Sequence, residues 1–557
     1  MQYKQTLVKL FLFCTPFIAS SQTTFLPQGA KENILLERLE IKAGTDSILN
    51  FSKNRPFSRR QFIPRVNEID STLFTTTDQY NKYTAIINNL EWFPEDSISY
   101  LSRKPIWKHF YKTPATLYEV HTPNFFLAVN PVLQYSVSKE NDNDQHLFLN
   151  TRGLSLRGRI ANKIGFAAYI TDNQERDPLY VQEFISERQA VPGAGFYKDF
   201  KAAGGVDYFD ARGYITFGVA NFIDIAFGFD KNFIGNGHRS LFLSDFSNST
   251  LFLKLNTRIW KFNYQNLFME LQHAQRFGAD ILIPKKYAAM HHLDLAVTKW
   301  LNIGLFEGVV FGRQDHFEFG YLNPVIFYRS IEQQSGSFDN ALAGIDAKAN
   351  VAKKFQFYSQ FLLDEFSLTE IRKNNGWWAN KWALQLGGKY IDAFNISNLD
   401  LQLETNRVRP FTYSHRDSVA NYTHYNQPLA HPFGANFQEW IGIARYQPAP
   451  KWLVQAKAIY INQGRDTGNV SFGGNIFLPN VPPYRTKDYG YTIGNGISTK
   501  TALASFLLSY EFRPNLFFEA NALYRKQTVA LSTVTPKNTF LISAGVRWNM
   551  HRREFDF

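Results

Sequence analysis

The residues of this chain best suited to chemistry are acidic, basic and imidazole side chains near its middle: Asp210, Arg212, His238, Arg239 and Asp245. An arginine fork takes the carboxylate of an acidic sugar through two parallel hydrogen bonds, and an aspartate accepts hydrogen bonds from sugar hydroxyls. Near a lumen or an outer rim, these five would either bind a glycan or form a salt-bridge ladder that stiffens a wall. A second group, Arg329, Glu332, Asp339, Asn340 and Asp346, belongs to a loop folded into a pore or to a structured outer loop. Trp377 and Trp378 follow the turn-forming run Asn374, Asn375 and Gly376 and offer a platform for stacking sugar rings.

Signals of covalent chemistry are weaker. Ser414, His415 and Asp417 are close in sequence, but a triad is a spatial arrangement. His291, His292 and Asp294 lack the helical spacing of a zinc motif. No glycine-rich loop follows a strand and opens a helix, so nucleotide chemistry is not indicated. The one cysteine is Cys14, which leaves no thiolate metal site or disulfide in the rest of the chain. The chain is therefore read as a non-enzyme with no catalytic residue, metal or cofactor.

The elements that would hold such residues are strands. The 557 residues include 52 Phe, 28 Tyr and 10 Trp, yet mean hydropathy is only −0.29. Beyond the N-terminus no stretch supplies the roughly 20 apolar residues of a spanning helix. Aromatic richness with apolar residues confined to alternate positions is the pattern of a transmembrane β-barrel. Residues 1–21, with Lys4 and Lys9 before an apolar core from Leu10 to Ile18, read as a signal peptide. The net charge of +12, to which Lys4 and Lys9 contribute two, points to lipopolysaccharide or acidic glycans before nucleic acid, or to a generally basic surface with no specific partner.

From residue 22 to 123 the pattern is not barrel-like. Ile69, Leu73, Tyr80, Ile87 and Leu90 recur at helical intervals before Pro94, predicting one or two short helices in a periplasmic region. Such helices would be a plug, a lid or a packed lead-in. From 124 to 557 the period is two. Ile223, Ile225, Phe227 and Phe229 alternate with Asp224, Ala226, Gly228 and Asp230, and Leu154, Leu156 and Ile160 alternate with Ser155, Arg157 and Arg159. A charged face opposite an apolar one fits a wet lumen and a lipid exterior; the alternative is a soluble sandwich with the apolar faces inside and rows of arginine outside.

Short turns are expected near Lys163, Asn221, Thr257, 299–302, 352–354, 395–398, 448–451 and 513–515, with long polar connections between the resulting hairpins. With a first strand from Phe125 and a last from Phe540 to Trp548, the expected fold is an all-β membrane protein, an antiparallel barrel of about eighteen strands. The even number suits bacterial outer-membrane barrels. Trp440, Tyr446, Trp452 and Trp548 lie at expected strand ends and suit interfacial girdles.

The segments KNFIGNGHRSLFLSDFSN (231–248) and YLNPVIFYRSIEQQSGSFDNALAG (321–344), with LERLEIKAG and NRPFSRR between Leu35 and Arg60, resemble the Wzi-like capsule assembly family. The likeness is to its Bacteroidota branch, which includes gliding motility proteins of the RemB type. That resemblance implies an eighteen-stranded outer-membrane barrel with periplasmic helices that holds capsular polysaccharide or exopolysaccharide at the cell surface. Its implied partners are surface polysaccharide, outer-membrane lipid and lipopolysaccharide, the barrel-insertion machinery and other envelope proteins. The alternatives are a component of a gliding or secretion apparatus and a diffusion porin.

Overall fold

The computed structural model describes residues 23–93, 100–102, 105–220, 222–273, 283–313, 316–325, 327–336, 338–468, 470–531 and 534–557. The expected signal peptide and the turn residue Asn221 lie outside them. Eighteen antiparallel strands close into a barrel. The first, Phe125–Glu140, pairs with the last, Lys537–Trp548, from Glu140 opposite Leu541 to Leu133 opposite Trp548. Beyond that seam the first strand continues against the short strand Tyr118–Thr122. Tight turns gather at one end and long connections at the other. One turn differs from expectation: Thr257 lies within a strand, opposite Tyr264 and Ile223, and the chain reverses at Trp260 and Lys261. The neighbouring polar residue Asn256 belongs to the lumenal face and marks no turn, because polarity in a barrel strand reports facing as well as turning.

Alternation sets the two faces. Phe227 and Phe229 point outward while Asp224, Ala226 and Asp230 point into the lumen, where Arg60 meets Asp224 at 2.9 Å. Leu305, Phe357, Trp440, Phe506 and Ile542 continue the exposed apolar exterior around the wall. This is the surface of a barrel solvated by lipid.

The lumen is filled from both ends. Three helices, α1 (Lys31–Ala43), α2 (Arg59–Glu68) and α3 (Thr76–Ile87), sit at the tight-turn end around Leu35, Leu39, Phe62, Ile63 and Ala85. Ser58 caps α2, and Thr75 with Asp78 forms a capping box on α3, so the polar sequence defines these helix starts. Fully buried Arg38 bonds Asp78 (3.0 Å) and Asp392 (2.9 Å) and also meets Asp400, joining helices to wall. From the other end the connection 231–249 descends until Phe233 and Ile234 pair with Arg55 and Asn54 of the N-terminal segment. The C-terminal residues 549–557 turn back at Asn549 and run up the lumen, with Phe557 packing on Tyr180, Phe184 and Phe246.

Burial would raise the Asp78 carboxyl, but Arg38 and Lys42 outweigh it and hold the group down at about 2. Its contribution is therefore complete above its ordinary value of 3.8 and is lost as pH falls through about 2. Acidification across that window should loosen α1 and α3 from the wall. Arg38→Ala, which strands buried carboxylates at a cost of about 3–5 kcal/mol, should do so at neutral pH. Limited proteolysis should then cut residues 23–93 while the barrel keeps its heat-modifiable mobility on gels. An N-terminal segment as resistant as in the parent would contradict the role given to Arg38.

Candidate functional site

Between helices, descending connection and tail lies a cavity of about 640 Å³, within the range of ligand-binding sites. All five residues of the first sequence cluster line it. Asp210 and Arg212 come from the lumenal face of strand Gly205–Ala220 and form a parallel fork at 2.9 and 2.6 Å. Arg212 also lies 4.0 Å from Asp230 and over the ring of Tyr169. His238, Arg239 and Asp245 come from the connection 231–249. Its depth is fixed by buried Glu404 on the wall, whose carboxylate accepts the backbone N–H groups of His238 (2.7 Å) and Arg239 (3.1 Å).

The tail supplies anions to this site. Asp556 takes His238 at 2.7 Å, Arg239 at 2.8 Å and Lys457 at 2.6 Å. Glu554 also meets Lys457, and Arg553 reaches Glu175 at 2.7 Å. Burial would raise the Asp556 carboxyl, but Arg239, Lys457 and His238 hold it well below the usual carboxylate range. Burial, with Arg547, Arg212 and Arg59 nearby, pushes the His551 imidazole down to about 3.

Two cations are less compensated. Arg55 has no carboxylate within ion-pair distance among the described residues and rests between the rings of Phe57 and Phe233, with its Nε buried and unbonded. Burial lowers its pKa. Lys231 donates to the Asp245 carbonyl at 2.8 Å, and burial together with Arg212 pushes its ammonium down to about 8. The clustering of Arg55, Arg59 and Arg60 in NRPFSRR, and the charged tail HRREFDF after a closing strand, were the available signals for residues that the first cluster left out.

The second cluster is divided. Arg329 is exposed and pairs with buried Glu332 on a helix, Tyr328–Gln334, that lies against the outside of the wall. Asp339 is held by Arg313 and Tyr321, and Asn340 donates to the Ala420 carbonyl. Asp346 is inside the lumen, bonded by His292 at 2.7 Å and by Lys53. Trp377 and Trp378 lie on the connection 366–380, their ring centroids 6.2 Å apart, and the Arg485 guanidinium covers Trp378 at 4.2 Å.

His291 and His292 fall on opposite faces of one strand, since His292 enters the lumen and His291 packs outside against Tyr328. The Ser414 hydroxyl donates to the Phe411 carbonyl at 2.6 Å, and among the described residues no histidine bonds it.

The chain is similar to the solved structure of Wzi, described as an outer-membrane protein involved in group 1 capsule assembly in Escherichia coli and as a carbohydrate-binding β-barrel. The TM-score is 0.57 at 12% identity, covering 94% of this chain and 99% of that one. OprD of Pseudomonas aeruginosa scores 0.41 at 12% identity, covering 75% of this chain and 94% of its own. OccAB2 of Acinetobacter baumannii scores 0.41 at 12% identity, covering 76% and 98%. At such identities the likeness is one of fold. Neither a family model nor a curated protein matches the sequence.

Because the tail crosses the space between helices and descending connection, its removal should open the lumen. In planar bilayers the intact protein should show almost no steady conductance, and a chain ending at Met550 should conduct measurably. Equal, large conductance from both would contradict a lumen closed by its own chain.

Proposed function

We propose that this protein is an outer-membrane barrel that binds acidic polysaccharide and retains it at the cell surface, as in capsule assembly. The observation that carries this reading is the charge of the lumenal cavity, lined by fourteen lysine and arginine side chains against nine carboxylates. The fold likeness to Wzi, itself described as carbohydrate binding, supports it. On this reading the long connections face the exterior and the N-terminal helices face the periplasm.

Binding requires no bond making. Arg55, short of a carboxylate, and Lys231, bonded to a carbonyl, are the cations an acidic sugar would reach at least cost. Arg212, Arg239 and His238 would exchange their present carboxylates for those of the ligand. Trp377 and Trp378 would offer further contacts among the long connections, whereas Arg329 and Glu332 lie on the outside of the wall, away from the lumen. Many weak contacts along a repeating polymer give retention through multivalency.

Calorimetry of the purified protein with a uronic-acid oligosaccharide tests the proposal. Binding should weaken with salt, and the neutral analogue should bind poorly. Losing charged hydrogen bonds worth about 1.5–3 kcal/mol each, the pair Arg55→Ala and Arg212→Ala should raise Kd at least about tenfold. Above pH 8 the Lys231 ammonium deprotonates, so affinity should fall between pH 7 and pH 9 in the parent and change less in Lys231→Arg. Equal binding of acidic and neutral sugars, or none of either, would overturn the acidic-glycan reading.

A further inference from the structure

The outer face of the wall carries one feature that a lipid-facing surface should not. On strands Phe262–Gln272, Lys285–Ala296 and Leu301–Phe311, the residues Asn266, His291 and Glu307 are register partners in a continuous row. Their neighbours Leu267, Met290 and Phe306 belong to the lumenal core, so the row faces outward. It lies in mid-strand, where polar groups on a barrel's lipid face are costly.

The row is covered by chain residues 316–325 and 327–336. Tyr321 and Tyr328 of this segment are fully buried against Phe268, Tyr287, Ala289, Val309 and Phe311 on the outside of the barrel. The Glu307 carboxylate accepts the Arg329 N–H at 3.1 Å, the Tyr264 hydroxyl donates to the Pro324 carbonyl at 2.6 Å, and the His291 ring lies 4.0 Å from that of Tyr328. At the long-connection end a clasp of Arg313, Asp339 and Tyr321 holds the segment to the rim, with bonds of 2.6–2.7 Å.

We infer that this segment is a strap embedded in the bilayer, with lipid acyl chains as the partner of its outer surface. Three observations support that occupant. The strap runs from Phe311, at the long-connection end of an eleven-residue strand, to Tyr264, two residues from the opposite turn. About 9–11 residues of tilted strand span the hydrocarbon layer, so no height of the barrel in the membrane leaves the strap outside it.

Among its outward side chains, Phe319, Val325 and Phe327 are 79%, 84% and 77% exposed and continue the apolar surface of Leu305, Ile345 and Phe357 on the adjoining strands, while the exposed Arg329 is neutralised by its ion pair with Glu332. Its backbone is also prepared for a medium without water, where unpaired N–H groups are excluded. The Tyr321, Asn323, Ser330 and Ser335 N–H groups bond within the strap, that of Val325 bonds the Asn323 side chain, and that of Arg329 bonds Glu307. Glu307 of the row thus serves the strap's polar backbone, and the strap covers the row.

Spin labels on single cysteines, introduced into a Cys14→Ser background and reconstituted in phosphatidylcholine vesicles, test the inference. Labels at Val325→Cys and Phe327→Cys should collide freely with oxygen and little with a water-soluble nickel chelate, in the same ratio as Leu305→Cys and Phe357→Cys on the wall. A ratio matching that of the exposed control Lys198→Cys would show water at the strap and overturn the inference. So would low collision with both reagents, which would mean that a second copy of the chain covers the surface. All five positions are exposed, and heat-modifiable mobility verifies that each variant has folded.

Discussion

An eighteen-stranded wall encloses more space than its own side chains can fill. Strands of small barrels interdigitate across the axis, whereas walls of 16–18 strands leave a channel unless something else occupies it. Here the filling comes from several parts of the same chain, among them the N-terminal helices, the connection 231–249, the connection 409–436 and the tail 549–557. The wall's inner face is mixed: Leu267, Met290 and Phe306 share an apolar cluster with Leu241 and Phe242, and ion pairs and hydrogen bonds add specific joints. Arg38 to Asp78 and Asp392, Lys53 to Asp294, and Arg239 to Asp556 are the principal joints. Buried pairs of this kind add modest net stability, but losing one partner is costly, which fixes where each filler sits.

That constraint also shapes the site. The cavity is the volume left between these fillers and the wall, so its charged lining is drawn from distant parts of the sequence. Asp210 and Arg212 belong to the wall, His238 and Arg239 to a connection, Arg55 to the N-terminal segment and Asp556 to the tail. A glycan carboxylate entering this space would compete with the chain's own carboxylates for the same cations. Fourteen basic side chains against nine carboxylates leave that lining with an excess of positive charge.

Much of the architecture was legible in the sequence because a barrel strand declares both its faces. The run Ile223 to Asp230 states its outward and inward residues directly, and turns such as Ala352 to Lys354 stand between two alternating segments. Thr257 misled because a polar pair can mark a lumenal face as readily as a turn. Asp210, Arg212, His238, Arg239 and Asp245, selected by their types, all line the one cavity described. What could not be read was the direction taken by irregular segments. Arg329 and Asp346 stand close in sequence, but one lies outside the wall and the other inside. Asp556 reaches Arg239 across 317 positions, a contact that no local pattern encodes.

The most direct test is made on cells. In a strain lacking this gene, the amount of acidic surface polysaccharide attached to cells should fall and the amount in the medium should rise. The parental gene should reverse the shift, and a gene carrying Arg55→Ala with Arg212→Ala should reverse it only in part. An unchanged distribution in the deletion strain would contradict surface retention as the function of this barrel.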